Sequence, residues 1–169
     1  MERLYKRGTR SCEPGEIDPG TREAIAAHAE AHLLGDVLAN SAGCCATVST
    51  RLYKPGLRSR LKGMADPDPE HRTIALFTAR HLVVAVTRPS AGTVVLSARL
   101  DDMALAEHSA LAARFAGRVQ VPEDSGISVT APWSGQPERG SYYIALGDDA
   151  DGRSFLEGLR TAIAAAKQS

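Results

Sequence analysis

At 169 residues, with 43% apolar and 24% charged side chains, the chain is long enough for one domain with a sizeable core and short for two. Its 20 basic and 20 acidic residues cancel, which argues against the basic excess of a general nucleic-acid binder, so no nucleic-acid partner is expected. No apolar run reaches the roughly 18–20 residues of a membrane-spanning helix, and the basic start MERLYKRGTRSCEPG is not followed by the apolar stretch of a signal peptide; a cytoplasmic location is expected.

Residues 1–18 hold Gly8, Pro14 and Gly15 without a sustained period and read as a mobile or loosely docked leader. An N-terminal helix is expected over residues 19–40. Pro19 fits its first turn, Asp18 its cap, and Ile25, Ala29, Leu33 and Val37 recur at i, i+4 steps. From Cys44 the texture turns to strands. CCATVSTRLYK is β-branched, and PGLRSRLKGMADPDPEH reads as a long loop. TIALFT and HLVVAVTR then read as a hairpin, the second with Leu82, Val84 and Val86 on one face. TVVLSARL follows the turn PSAG, with MALAEH extending or succeeding it. Residues 109–121 fit either a helical turn or a strand. GISVTAPW and SYYIALG complete the strand set, and DADGRSFLEGLRTAIAAAKQS closes the chain as a helix with Phe155, Leu159, Ile163 and Ala166 in one stripe. Strands followed by one amphipathic helix predict an α+β, mainly β fold: a curved sheet or partial barrel with the helix over an open end.

The stretch FTARHLVVAVTRPSAGTVVLSARLDDM, with the turn Thr78-Ala79-Arg80-His81-Leu82 and the closing segment Leu100-Asp101-Asp102-Met103, resembles the bacterial pleckstrin-homology-like family. The resemblance spans about residues 44–167. It implies a PH-like domain over 44–169, built as a barrel of two bent antiparallel sheets with seven strands and a capping C-terminal helix, to which the N-terminal helix is an addition. It implies no common catalytic site. Lys54, Arg58 and Arg60 supply a Lys-x3-Arg-x-Arg run like the basic motif of the family's phosphoinositide binders. The spacing is shorter than theirs, both arginines fall in a loop, and the C-terminal helix lacks their tryptophan, so inositol-lipid binding is not implied.

The stretch RLYKPGLRSRLKG, residues 51–63, gathers Arg51, Lys54, Arg58, Arg60 and Lys62 without an acid. Such a cluster holds a potential suited to phosphate or carboxylate oxygens; the plain alternative is a solvated loop. Tyr53 or Leu57 could add interfacial contact, or one of them could reach back to the core. RLYKRG at 3–8 echoes RLYKPG, but residues 9–20 do not match 57–68, which favours chance over duplication or a leader lying near the same surface. His28, His32 and Asp36 share a helix face as a possible metal triad, although Glu30 projects elsewhere and imidazoles bordering an apolar stripe are commonly boundary residues. Cys12, Cys44 and Cys45 lack metal spacing and are expected as reduced thiols. Trp133, in the turn-rich APWSGQPERG, is a candidate partner anchor if exposed. An open strand edge could accept a peptide or another copy. With no nucleophile elbow and no phosphate loop, neither an enzyme nor a cofactor is expected. The first expectation is therefore a non-catalytic binding module for a protein partner or for self-association. Peripheral binding to anionic lipid through residues 51–62 is the second, and a metal-dependent activity at the N-terminal helix the third.

Overall fold

A computed structural model describes residues 3–61, 67–107 and 125–169, without the side chains of Ser59, Arg60 and Glu107. Strands β1 (Tyr5–Ser11), β2 (Gly43–Arg51), β3 (Glu70–Phe77), β4 (His81–Arg88) and β5 (Gly92–Arg99) form one antiparallel sheet in chain order. Strands β6 (Ala104–Glu107), β7 (Gly126–Ala131) and β8 (Gly140–Ala145) form a second. Helix α1 (Pro19–Ala31) follows β1, the short α2 (Leu57–Leu61) follows β2, and α3 (Ala150–Gln168) ends the chain. The protein is mainly β, as expected.

The expected barrel does not close. A 3-10 turn at Leu100–Asp102 separates β5 from β6, and no ladder joins the two sheets among the described residues. The outer edge of β1 is spoken for by carboxylates: the Thr9 N–H donates to Asp149 at 2.8 Å and the Ser11 N–H to Asp151 at 2.9 Å. Those bonds cover, at two positions, the strand edge that β-augmentation would need. The leader expected over residues 1–18 is corrected too, because Tyr5–Ser11 pair with β2 along their whole length.

The β3–β4 hairpin turns at Thr78, whose Oγ1 accepts the N–H groups of Arg80 and His81 at 3.2 and 3.1 Å. In β4, Leu82 and Val84 face a core shared with the second sheet and α3, whereas Val83 and Ala85 face α1. Both faces of β4 are thus covered, which explains its continuous apolar run where a half-exposed strand would alternate. The first core includes Phe77, Leu100, Met103, Ile127, Val129, Phe155, Leu159 and Ile163. The second packs Ile25, Ala29, Val37, Cys44 and Leu76 between sheet and α1.

Two further expectations change. The N-terminal helix, expected to reach residue 40, stops at Ala31: Leu33 and Gly35 adopt positive φ (56° and 78°) and the chain turns. Leu33, counted in the apolar stripe, is 91% exposed, while Val37 reaches the core from beyond the turn. Trp133 is 2% exposed and cannot anchor a partner: its Nε1–H donates to the Gly140 carbonyl at 3.1 Å and its ring meets Tyr142 edge-on.

At the start of α3, Asp149 caps the helix through Gly152 N–H (2.9 Å) as well as bonding β1, and Gly147 N–H donates to Thr9 Oγ1 at 2.7 Å. The helix sits so close that a Cβ on Gly152 would fall 2.1 Å from the Gly147 carbonyl oxygen. Gly152→Ala is expected to destabilise the protein by ~2–3 kcal/mol through overpacking against backbone, read as a lower urea midpoint.

Candidate functional site

The two RLYK copies lie side by side. Tyr5 stands opposite Arg51 in the β1–β2 register, and one step beyond the ladder the Leu52 N–H donates to the Leu4 carbonyl at 2.9 Å. Antiparallel pairing therefore brings Leu4-Tyr5 of one copy against Arg51-Leu52 of the other at one end of the first sheet, with Lys6 opposite Thr50. Of the readings open for the echo, the structure places both copies on a shared surface.

Alternation sorts their side chains. Tyr5 and Arg7 point to the inner face, where the Arg7 guanidinium donates to Ser49 Oγ (3.1 Å), Tyr143 Oη (2.8 Å) and the Ser125 carbonyl (2.8 Å). It also lies 5.1 Å from the centroids of both Tyr5 and Tyr143. Tyr5 meets His71 and Tyr53 edge-on at 5.4 and 6.3 Å, and Arg51 lies 5.6 Å from the Tyr53 ring. Tyr53 is thus the residue of the basic loop that turns inward. This network of rings and guanidinium groups holds the strand ends in place.

Outward, the picture is different. Leu52 is 56% exposed, and Leu57 and Leu61, one turn apart on α2, are 76% and 79% exposed. Spacing of four residues puts the last two on one helix face, and that face looks into water. Around them Lys6, Lys54 and Arg58 are exposed, and Arg51 is half-buried. The side chain of Arg60, and all of Lys62, lie outside the described residues. Arg3 is engaged with Asp148 at 2.9 Å, a hydrogen bond and charge that hold the Asp148 carboxyl below its usual range. Sequence reading found the cations and named Leu57 as a possible interfacial contact, but not Leu52 or Leu61, because period and composition do not say which way a five-residue helix turns its apolar side.

The other candidate positions do not assemble. His28 Nε2 hydrogen-bonds Ser97 Oγ at 2.9 Å, and the His28 and His32 rings lie 4.3 Å apart, centroid to centroid. Asp36 comes after the turn that ends α1, where its carboxylate accepts the Ala39 N–H at 3.0 Å. Among the described residues no group of three His, Cys, Asp or Glu side chains is placed to hold a metal ion. An open groove of about 720 Å³ on the outer sheet face beside α1 carries no basic excess, with Arg10 facing Glu16 at 4.0 Å, Arg72 facing Glu70 at 3.7 Å and Asp18 also in its lining.

Burial, then the charge of His32, holds the His28 pKa below its ordinary value. The unfolded chain then takes up that proton first, so stability is retained above about pH 6.5 and declines below it until folded His28 itself protonates. His81, also depressed by burial and by Arg99, adds to the decline. In melts at about pH 7.5 and pH 5.5, His28→Gln is expected to remove part of the acid-side drop in Tm; an unchanged drop would exclude His28 as a cause.

No protein-family model matches this chain, and no curated protein or solved structure matches it. Among the described residues, no helix is long and apolar enough to cross a membrane.

Proposed function

We propose that the chain is a non-catalytic binding module of pleckstrin-homology-like type that docks on anionic membrane through the basic, leucine-bearing end of its first sheet. One observation carries this reading: α2 turns Leu57 and Leu61 into solvent within a stretch, residues 51–62, that holds five cations and no acid. Cations draw such a segment to an anionic surface, and exposed leucines gain by leaving water at the acyl boundary. A solvated loop explains the cations but gives no reason for two leucines at helical spacing to face outward. Among the described residues, seven strands in two antiparallel sheets and a closing helix follow α1, the strand number that the resemblance implies, which supports the type of module.

The test is flotation of the whole protein with vesicles of phosphatidylcholine alone or with phosphatidylserine, at low and near-physiological salt. Binding to the anionic vesicles that persists at the higher salt is expected, with little binding to the neutral ones. Absence of binding to anionic vesicles even at low salt would overturn the proposal and return the surface to a protein partner or self-association.

A further inference from the structure

The β1–β2 register that sets Ser11 against Cys45 continues to set Cys12 against Cys44, and the Cys12 N–H donates to the Cys44 carbonyl at 3.2 Å. Their sulfurs lie 3.3 Å apart. Opposed residues of antiparallel strands have Cα atoms about 4.5–5.5 Å apart, within the roughly 4.4–6.8 Å that a disulfide spans. Cys12 is partly exposed, Cys44 is buried behind it, and Cys45 points to the opposite face with no exposure. The three thiols therefore differ in access and in partner.

We propose that Cys12 and Cys44 form a reversible disulfide by exchange with a low-mass disulfide of the glutathione type. The Cys12 thiolate attacks one sulfur of that disulfide, forming a mixed disulfide and releasing one thiol. The Cys44 sulfur, already in contact, then gives up its proton and attacks Cys12, closing the protein disulfide and releasing the second thiol. Two protein thiols are oxidised and one small disulfide is reduced. The roles follow from the surroundings: the hydrogen bond from Cys44 and the nearby charge of Arg10 lower the Cys12 pKa, whereas burial pushes Cys45 up to about 12. The bond closes a loop containing all of α1 and ties the approach to that helix directly to β2.

The test is incubation of the native protein with oxidised glutathione, followed by intact-mass analysis, thiol titration and a thermal melt. The wild-type protein is expected to lose the mass of two hydrogens and two of its three titratable thiols, and to melt several degrees higher, all reversed by a dithiol reductant. Cys44→Ser is expected to stop at one glutathionyl adduct, and Cys45→Ser, checked for folding by circular dichroism, to behave as wild type. A lasting adduct on the wild-type protein, a covalent dimer, three unreacted thiols, or internal closure in Cys44→Ser would each overturn the assignment.

Discussion

Replacing Leu57 and Leu61 together by Ser is expected to weaken binding to anionic vesicles ~100-fold, from the loss of about 1.5 kcal/mol of interfacial burial at each leucine. Replacing Lys54, Arg58, Arg60 and Lys62 by Gln is expected to weaken it ~1000-fold at low salt, at ~1 kcal/mol for each cation near the surface. The two variants separate the two parts of the proposal through their salt dependence. The leucine variant should keep the wild-type fall in affinity with rising salt, displaced to weaker binding at every point, because its charges are intact. The charge variant should bind weakly with a flattened salt curve. Vesicle sedimentation isotherms at several salt concentrations give both quantities. Leucine substitutions without effect would leave a purely electrostatic association and remove the outward face of α2 from the mechanism. Leu57, Leu61, Lys54 and Arg58 are exposed, so the unfolding free energy from urea titration should move by no more than about 0.5 kcal/mol for each of these substitutions.

The second large effect is at the opposite end of the same sheet. Phe77 ends β3 and fills the junction of β2, β3 and α3, with its ring 5.4 Å from that of Phe155. Two glycines make room for it: a Cβ on Gly43 would lie 2.4 Å from the ring and one on Gly158 3.2 Å from it. Phe77→Ala empties a site walled by backbone on two sides, which has little freedom to collapse, and should cost ~3–5 kcal/mol in urea unfolding. Phe77→Leu, which restores part of the volume, should cost clearly less. Phe77 pairs with Gly43 at the start of β2, whereas the basic segment leaves β2 at Arg51. Vesicle affinity per folded molecule should therefore survive in Phe77→Leu, so that stability and binding report on different ends of one sheet.

Interior packing also explains which elements the sequence reveals. In α3, Phe155, Leu159 and Ile163 recur at helical spacing because the whole stripe faces one core, and Asp149 and Lys167 mark its ends by their charge. The β3–β4 hairpin is legible for a similar reason, since Thr78 closes the turn with its own side chain and apolar runs flank it. Strand β1 hides because its inward residues, Tyr5, Arg7 and Thr9, are polar or amphipathic. The side-chain partners of Arg7 and Thr9 are a tyrosine, a serine and a threonine far along the chain.

The amino-acid sequence by itself determined the mainly β composition, the hairpin, the closing helix and the cluster of cations at 51–62, all of which rest on neighbours within a few residues. Tertiary structure alone decided that the two RLYK copies pair, that α1 ends at Ala31, that Trp133 is buried, that Leu57 and Leu61 face water and that Cys12 meets Cys44. Each of these depends on which distant surface is left to cover a side chain, a quantity set by how the sheets and helices share a limited interior, which local periodicity does not encode.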